Sequence, residues 1–162
     1  KAMGFGIVPT TVLRNHNNID GSAQKFVTNH VTASEFKGKI NNEDFQKMRT
    51  LDFLIWNRDR HPENYLVSKY GRITAIDHGN AFTNAQIFNV PKGALNYTRS
   101  DNIPKNILTS LRNLDDEKLK SALSISSNHK ILKSVKKRRD FLLKSEVFPN
   151  KNYMNENRKL FF

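Results

Sequence analysis

The stretch Arg58–Gly79, which reads RDRHPENYLVSKYGRITAIDHG, decides how this sequence is interpreted. It opens with the pattern D-x-x-x-x-N, whose fixed residues are Asp59 and Asn64, and it closes with the tripeptide D-H-G that begins at Asp77. Between them, two short apolar runs flank SKYG (Ser68–Gly71) and predict a β-hairpin. The first pattern alone is common by chance, but the two patterns separated by a hairpin are rare, so this stretch is the main guide to function.

The sequence on either side predicts a mixed α+β chain. A helix is predicted to begin at Asn42, where acidic residues suit a helix N-terminus, and apolar residues recur at helical spacing as far as Ile55. Two strands are predicted at Ile7–Leu13 and Ser22–Val31, paired through the Asn-rich turn between them. We predict a loop at Pro91–Pro104. Three further helices are predicted toward the C-terminus, at Pro104–Asn113, Asp115–Ser124 and Asn128–Val147.

The composition excludes several classes of protein. The 162-residue chain contains no Cys, which excludes a disulfide framework, a thiolate metal site and a Cys nucleophile. It has no apolar run long enough to span a bilayer and no signal-peptide core, so we predict a soluble protein. The sequence does not indicate the compartment, and cytoplasmic and peripheral-membrane locations both stay open. Lys and Arg number 27 against 15 Asp and Glu, and the formal charge of +12 favours a phosphate-bearing ligand, an anionic lipid or nucleic acid.

The two patterns suit phosphoryl transfer from ATP. That reaction needs a carboxylate that deprotonates the attacking hydroxyl, and oxygen ligands that hold Mg²⁺ on the phosphates. Protein kinases supply these groups from a loop of the form H-R-D-x-x-x-x-N and a later D-F-G. In this sequence Asp59 and Asn64 have the spacing of the first motif, and Asp77-His78-Gly79 has the place of the second.

The details resemble one branch of the kinase superfamily. NRDRHPENYLV (Asn57–Val67) followed by ITAIDHGNAF (Ile73–Phe82) resembles the phosphatidylinositol 3/4-kinase-like branch rather than conventional protein kinases. Upstream, GFGIVPTTVL (Gly4–Leu13) and GSAQKFV (Gly21–Val27) resemble the segment of type II phosphatidylinositol 4-kinases that leads into the hinge. The resemblance covers about Gly4–Phe82, half of the chain, while the C-terminal helices match only loosely.

The resemblance implies an α+β, protein-kinase-like fold, mainly the helical lower lobe. Residues 1–31 would be a remnant of the upper lobe with the hinge strands, and residues 32–147 would form the C-lobe, in which the hairpin carries a metal ligand. We predict that residues 148–162 are a mobile basic tail.

The resemblance also assigns roles. Asp59 would be the catalytic carboxylate, His61 would assist it, and Asn64 and Asp77 would bind Mg²⁺. The hinge backbone would meet the adenine of ATP, at Gln24, Lys25, Phe26 and Val27.

Each assignment has a structural alternative. Asp59 could form an ion pair with a neighbouring arginine, Asn64 and Asp77 could stabilise turns, and His61 could make only structural hydrogen bonds. Arg60 could brace the loop or contact phosphate, and Asp52 could orient the loop from the helix.

The functional prediction is an ATP- and Mg²⁺-dependent kinase that acts on an inositol lipid or a protein Ser/Thr hydroxyl. The sequence shows no Gly-rich loop and no strand lysine, so a segment before Lys1 or a second chain is expected to complete the upper lobe. The alternative is a non-catalytic, pseudokinase-like binding or regulatory module.

The C-terminal region is strongly basic. From residue 130 to 162 there are ten Lys and Arg residues and three acidic residues. The region Lys133–Arg139 could face an anionic membrane surface, a phosphoinositide headgroup or an acidic protein partner, or it could be a solvated helix face. Nucleic-acid binding is disfavoured because no recognised nucleic-acid motif accompanies the charge.

Overall fold

The computed structural model describes residues 2–82, 101–124 and 129–162. Strands β1 (Thr11–His16) and β2 (Ile19–Gln24) form an antiparallel hairpin in which every residue is exposed. Its turn residues Asn17 and Asn18 have φ of 50° and 61°, left-handed conformations that Asn tolerates and that two-residue hairpin turns require. The Asn-rich turn is therefore confirmed.

The strand boundaries differ from the prediction. The first strand runs from Thr11 to His16 rather than from Ile7 to Leu13, because its pairing with β2 spans only Thr11–Gln24 to His16–Ile19. The Ile7 carbonyl instead accepts a hydrogen bond from the Ala75 N–H at 2.7 Å. The predicted strand Ser22–Val31 is wrong as a single element. It divides into the end of β2 and a separate strand β3 (His30–Thr32), with Asn29 at φ 58° just before β3.

The predicted hairpin around SKYG is confirmed. Strands β4 (Tyr65–Ser68) and β5 (Ile73–Ala75) pair antiparallel, and β3 adds to β4 to give a three-stranded sheet in the order β3-β4-β5. Gly71 in the turn has φ 78°, and a Cβ there would collide with the carbonyl oxygen of Lys39. Glycine therefore suits both the backbone and the space.

The helix before the hairpin is also confirmed. Helix α1 (Asn42–Ile55) begins where the Asn41 side chain accepts a hydrogen bond from the backbone N–H of Asp44 at 3.0 Å. Asp44 is buried, and its carboxylate accepts from Arg72 Nε at 2.6 Å and from the Ile73 N–H at 3.1 Å. These bonds fix α1 against the hairpin.

The remaining described elements are mostly helical. They are α2 (Lys105–Arg112), α3 (Asp116–Ala122), α4 (His129–Ser145), α5 (Lys151–Glu156), the 3₁₀ turn Arg158–Leu160 and a short pair of strands, β6 (Asp101–Asn102) with β7 (Val147–Phe148). The three predicted C-terminal helices and the α+β class are confirmed. Most of the predicted loop Pro91–Pro104 lies outside the described residues, and β6 occupies part of its end.

The C-terminal segment is not the mobile tail that residues 148–162 were predicted to be. Phe148, Met154 and Phe161 are fully buried, at 0% exposure each. Phe161 packs edge-on against Phe53 of α1, with ring centroids 5.8 Å apart. The short helix α5 has too few residues for its apolar pattern to stand out, yet burial of these side chains against the helical core fixes the segment.

The basic residues of α4 are largely used inside the fold. Arg138 is buried and donates to the carbonyls of Leu54 and Phe161 at 2.8 and 3.0 Å. Arg139, also buried, donates to the Leu114 carbonyl at 2.8 Å. The predicted membrane contact through Lys133–Arg139 thus has less free charge than the sequence suggests.

Two cations of α4 share one acidic partner in α3. Asp116 accepts hydrogen bonds from Lys136 and, at 2.8 Å, from Arg139. These bonds, Lys136 first, lower the pKa of the Asp116 carboxyl. Within the described residues, no helix is both long and apolar enough to cross a bilayer.

Candidate active site

The predicted catalytic loop begins where α1 ends. Trp56 adopts a left-handed conformation with φ 52°, which turns the chain sharply out of the helix. A 3₁₀ turn at Pro62–Asn64 then leads directly into β4. Asp59 and Asn64 therefore lie on a short segment held between a helix end and a buried strand.

A fully buried ion pair lies beneath this loop. The side chains of Asp52 and Arg60 are both 0% exposed, and they meet through Nε–Oδ2 and Nη2–Oδ1 contacts of 2.8 and 3.0 Å. Asn57 also donates from Nδ2 to Asp52 Oδ1 at 3.0 Å. A bidentate pair with a further donor satisfies the buried carboxylate and holds the loop on α1.

Arg60 also joins the loop to the second motif. Its Nη1 donates to the backbone carbonyl of Asn64 and, at 2.6 Å, to that of Ile76. The Ile76 N–H donates back to the Asn64 carbonyl at 3.2 Å. These bonds place the Asn64 backbone next to Ile76, the residue before Asp77, although Asn64 and Asp77 are 13 positions apart in the sequence. Between the two roles considered for Arg60, the structure supports the brace.

Asp59 is half-buried and makes no ion pair among the described residues. Its backbone N–H donates to Asn57 Oδ1 at 3.2 Å, and its carboxylate Oδ2 accepts from Asn80 Nδ2 at 3.0 Å. The carboxylate therefore has a fixed neutral donor on one oxygen. This leaves its other oxygen able to accept from a substrate hydroxyl.

Asn64 is buried, at 7% exposure, and donates from Nδ2 to the backbone carbonyl of Asp59 at 2.7 Å. Because the amide nitrogen is engaged, the side-chain oxygen is the atom that remains for a cation. Asp77 is exposed, has φ 49°, and accepts from the Gly79 N–H at Oδ1 with a distance of 3.2 Å. A Cβ at Gly79 would lie 3.3 Å from that oxygen, so glycine gives the carboxylate room.

The donor set of these two residues fits Mg²⁺. An amide oxygen and a carboxylate are hard ligands, and Mg²⁺ commonly takes one or two protein ligands with phosphate oxygens and water. No cluster of three or more His, Cys, Asp or Glu side chains suited to a metal occurs in the part of the chain that the structure describes. A site at Asn64 and Asp77 would thus depend on the phosphates of a bound nucleotide.

The two histidines of the motifs differ. His61 contacts Glu63 through Nδ1 and Oε2 at 2.8 Å on the surface, and this hydrogen bond is the main cause that lowers the pKa of Glu63. His78 is half-buried with its Nε2 enclosed, and desolvation, followed by the nearby Arg60 charge, lowers its pKa. The contact of His61 favours the structural alternative, whereas a catalytic role for it stays a prediction.

Three of the four predicted hinge residues lie near β5, the strand that precedes the second motif. Lys25, Phe26 and Val27 line a cavity of about 360 Å³ together with Thr74 of β5, the strand that leads to Asp77. Gln24 ends β2 instead and donates to Thr11 Oγ1 at 2.9 Å. Phe26 is 84% exposed. Three of the four predicted cofactor residues therefore border one space.

Sequence reasoning missed Asn80 and left Asp52 and Arg60 undecided. Asp52 is a polar residue within the apolar run LDFLIW, and a buried position for it requires a buried cation. That signal was available in the sequence. Asn80 offered none, because its contact depends on the turn that follows Asp77.

The loop, the hairpin that leads to the second motif and the Arg60 brace between them are the arrangement expected of a kinase-like protein. The family model for phosphatidylinositol 3- and 4-kinase matches residues 11–143 of this chain, which therefore belongs to that family. The chain is also 34% identical over 103 residues to phosphatidylinositol 4-kinase gamma 3 of Arabidopsis thaliana. The match covers 50% of this chain and 18% of that relative, so the chain spans about a fifth of the relative's length.

Proposed function

We propose that this protein is an ATP- and Mg²⁺-dependent kinase that transfers the γ-phosphate of ATP to a hydroxyl of an inositol lipid. The observation that carries the proposal is the Arg60 bridge, which joins the Asn64 carbonyl to the Ile76 carbonyl. Because it links the loop of Asp59 and Asn64 to the residue before Asp77, it supports a single site for the candidate base and the two candidate metal ligands. Such a grouping suits phosphoryl transfer, where catalysis is mostly positioning and charge stabilisation.

Asp59 is the proposed base. Its half-buried carboxylate would accept a hydrogen bond from the substrate hydroxyl, take its proton as the oxygen attacks phosphorus, and so support direct in-line transfer. The backbone of Asp59 is held by Asn57 and Asn64, so the carboxylate would keep its place during the reaction.

Asn64 and Asp77 are the proposed Mg²⁺ ligands. Bound there with the nucleotide, Mg²⁺ would neutralise charge on the β- and γ-phosphates. The adenine is proposed to occupy the cavity beside Lys25–Val27, since Thr74 links that cavity to the strand that ends at Ile76-Asp77.

The finer description of the fold is part of the proposal. Residues 32–147 would correspond to the C-lobe of a kinase, with β4 and β5 carrying the metal ligand, and β1 and β2 would belong to the upper lobe. Full exposure of both β1 and β2 supports a further segment or chain packing there. The family and the name of the relative favour a phosphatidylinositol acceptor over a protein hydroxyl.

The test is phosphate transfer from radiolabelled ATP to phosphatidylinositol vesicles by the full-length protein. Asp59→Asn and Asp77→Asn should each reduce transfer on the order of 100-fold or more, with the fold unchanged by circular dichroism. Asp20→Asn is the matched control, because Asp20 is an exposed carboxylate that likewise accepts from an asparagine amide, Asn15 Nδ2, at 2.7 Å.

The outcomes separate the candidate functions. Transfer retained in both Asp59→Asn and Asp77→Asn would refute the assigned roles. Transfer to a protein panel but not to lipid would replace the acceptor. Mg²⁺-dependent ATP binding by the wild-type protein without any transfer would favour the non-catalytic, pseudokinase-like module.

A further inference from the structure

The residue that follows the second motif, Asn80, lies in a tight turn. The Ala81 N–H donates to the His78 carbonyl at 3.0 Å, and the Gly79 N–H donates to Asp77 Oδ1 at 3.2 Å. The turn folds the chain back from the exposed metal-ligand position toward the catalytic loop.

Asn80 contacts that loop in two places. Its Nδ2 donates to Asp59 Oδ2 at 3.0 Å, and its backbone carbonyl accepts from the Arg58 N–H at 3.4 Å. Two residues on, the Phe82 N–H donates to the Ile55 carbonyl at the end of α1 at 2.7 Å. The segment from residue 80 to 82 therefore runs alongside the end of α1 and the start of the loop. These backbone bonds hold the Asn80 side chain in place beside Asp59.

We infer that Asn80 is a positioning residue, which fixes the carboxylate of Asp59 relative to the turn that carries Asp77. The inference rests on the proposed function, in which Asp59 is the base. A terminal carboxylate rotates within a broad torsional well, so a fixed donor on Oδ2 restricts it and directs Oδ1 to the substrate hydroxyl. This contact directly links the proposed base to the segment of the metal ligand.

The chemistry of the asparagine side chain matters for this role. Its amide is a neutral donor, so it orients the carboxylate without a full positive charge that would compete for the proton. An aspartate of the same size would remove the donor and place a second negative charge beside Asp59. An alanine would remove the donor alone.

The experiment measures lipid phosphorylation by the full-length protein with Asn80→Asp and Asn80→Ala. We expect kcat to fall on the order of 100-fold for Asn80→Asp and on the order of 10-fold for Asn80→Ala. The KM for MgATP should stay within about two-fold of the wild-type value. Asn80 contacts neither the proposed hinge residues nor the side-chain oxygens of Asn64 and Asp77 that are proposed to bind Mg²⁺. The melting temperature should not change, because Asn80 is exposed.

Asn106 provides a matched control. It is also exposed, and its Nδ2 donates to a carboxylate oxygen, Glu43 Oε1, at the same 3.0 Å, but near the opposite end of α1. Asn106→Asp and Asn106→Ala place the same chemical changes away from the loop. They should leave kcat within about two-fold of the wild type.

The results discriminate among the explanations. A kcat within about two-fold of wild type in both Asn80 variants, with an active wild type, would overturn this inference and leave the proposed function standing. A loss of kcat that parallels a lower melting temperature would show a structural role and also overturn it. A wild-type protein that transfers no phosphate would refute the proposed function, and this inference with it.

Discussion

Two arginine-containing stretches, NRDRH (Asn57–His61) and KKRR (Lys136–Arg139), differ both in net charge and in structural role. Each contains a deeply buried arginine that donates to backbone carbonyls of distant segments. Arg60 also neutralises the buried Asp52 and holds the two motifs of the candidate site together. Arg138 instead joins helices of the core.

Arg138 also packs against aromatic rings of the core. The Arg138 guanidinium lies 5.5 Å from the ring centroids of both Trp56 and Phe162. A count of positive charge along the chain would rate KKRR as the stronger anion-binding candidate, yet its cations are largely used within the fold. The difference teaches that the partners of a charged residue, rather than the local charge, indicate its function.

The largest expected effect comes from Arg60→Met. It leaves the Asp52 carboxylate buried without its cation, so the free energy of unfolding should fall by about 3–5 kcal/mol. Phosphate transfer should also be lost, because the loop and the motif strand lose their bridge. Urea denaturation measures the first effect, and the lipid assay measures the second.

A double variant identifies the cause. Asp52→Leu with Arg60→Met removes both charges and should recover much of the lost stability, since apolar replacement of a buried pair is often close to neutral. If the double variant is no more stable than Arg60→Met alone, the unpaired carboxylate does not account for the loss.

A smaller effect is expected for Arg138→Met. The carbonyls of Leu54 and Phe161 lose a charged donor but are themselves neutral, so we expect a loss of about 1.5–3 kcal/mol by urea denaturation. The KM for MgATP and kcat should stay close to wild type at a temperature where the variant is folded. A selective loss of kcat there would remove the distinction between the two arginines.

The smallest effect concerns Asp116, the surface partner of α4. Its folded-state pKa is lowered, chiefly by Lys136 and then Arg139, so the stability it contributes is present above its unfolded pKa and is lost as pH falls through the lower, folded value. Wild type should exceed Asp116→Asn in melting temperature at neutral pH, and the difference should shrink below about pH 4. An unchanged difference at low pH would show that charge is not its source.

The motif residues of the candidate site are visible in the sequence, whereas most of the contacts that support them are not. Asp59, Asn64 and Asp77 belong to short patterns whose spacing is visible in the chain, and the hairpin between the patterns follows from its turn residues. The role of Arg60 stayed open because its partner, Asp52, becomes adjacent only through the left-handed turn at Trp56.

The other two misses have different causes, one of them long-range packing. The C-terminal segment was predicted to be mobile because its apolar residues are few, but Phe161 is buried by Phe53 of a helix far away in the sequence. Such a contact leaves no local pattern in the sequence. The predicted strand Ser22–Val31 is too long for a local reason, because alternation does not reveal that Asn29 adopts a left-handed conformation and turns the chain.

The Arg60 bridge has a consequence for how the molecule opens. A side chain that bonds α1, the loop and the β5 end at once must release all three together, so these segments should form one cooperative unit in native-state hydrogen exchange. The amide protons of Asn64 and Ile76 should then exchange with the same opening free energy, whereas those of the exposed β1–β2 hairpin should exchange much earlier.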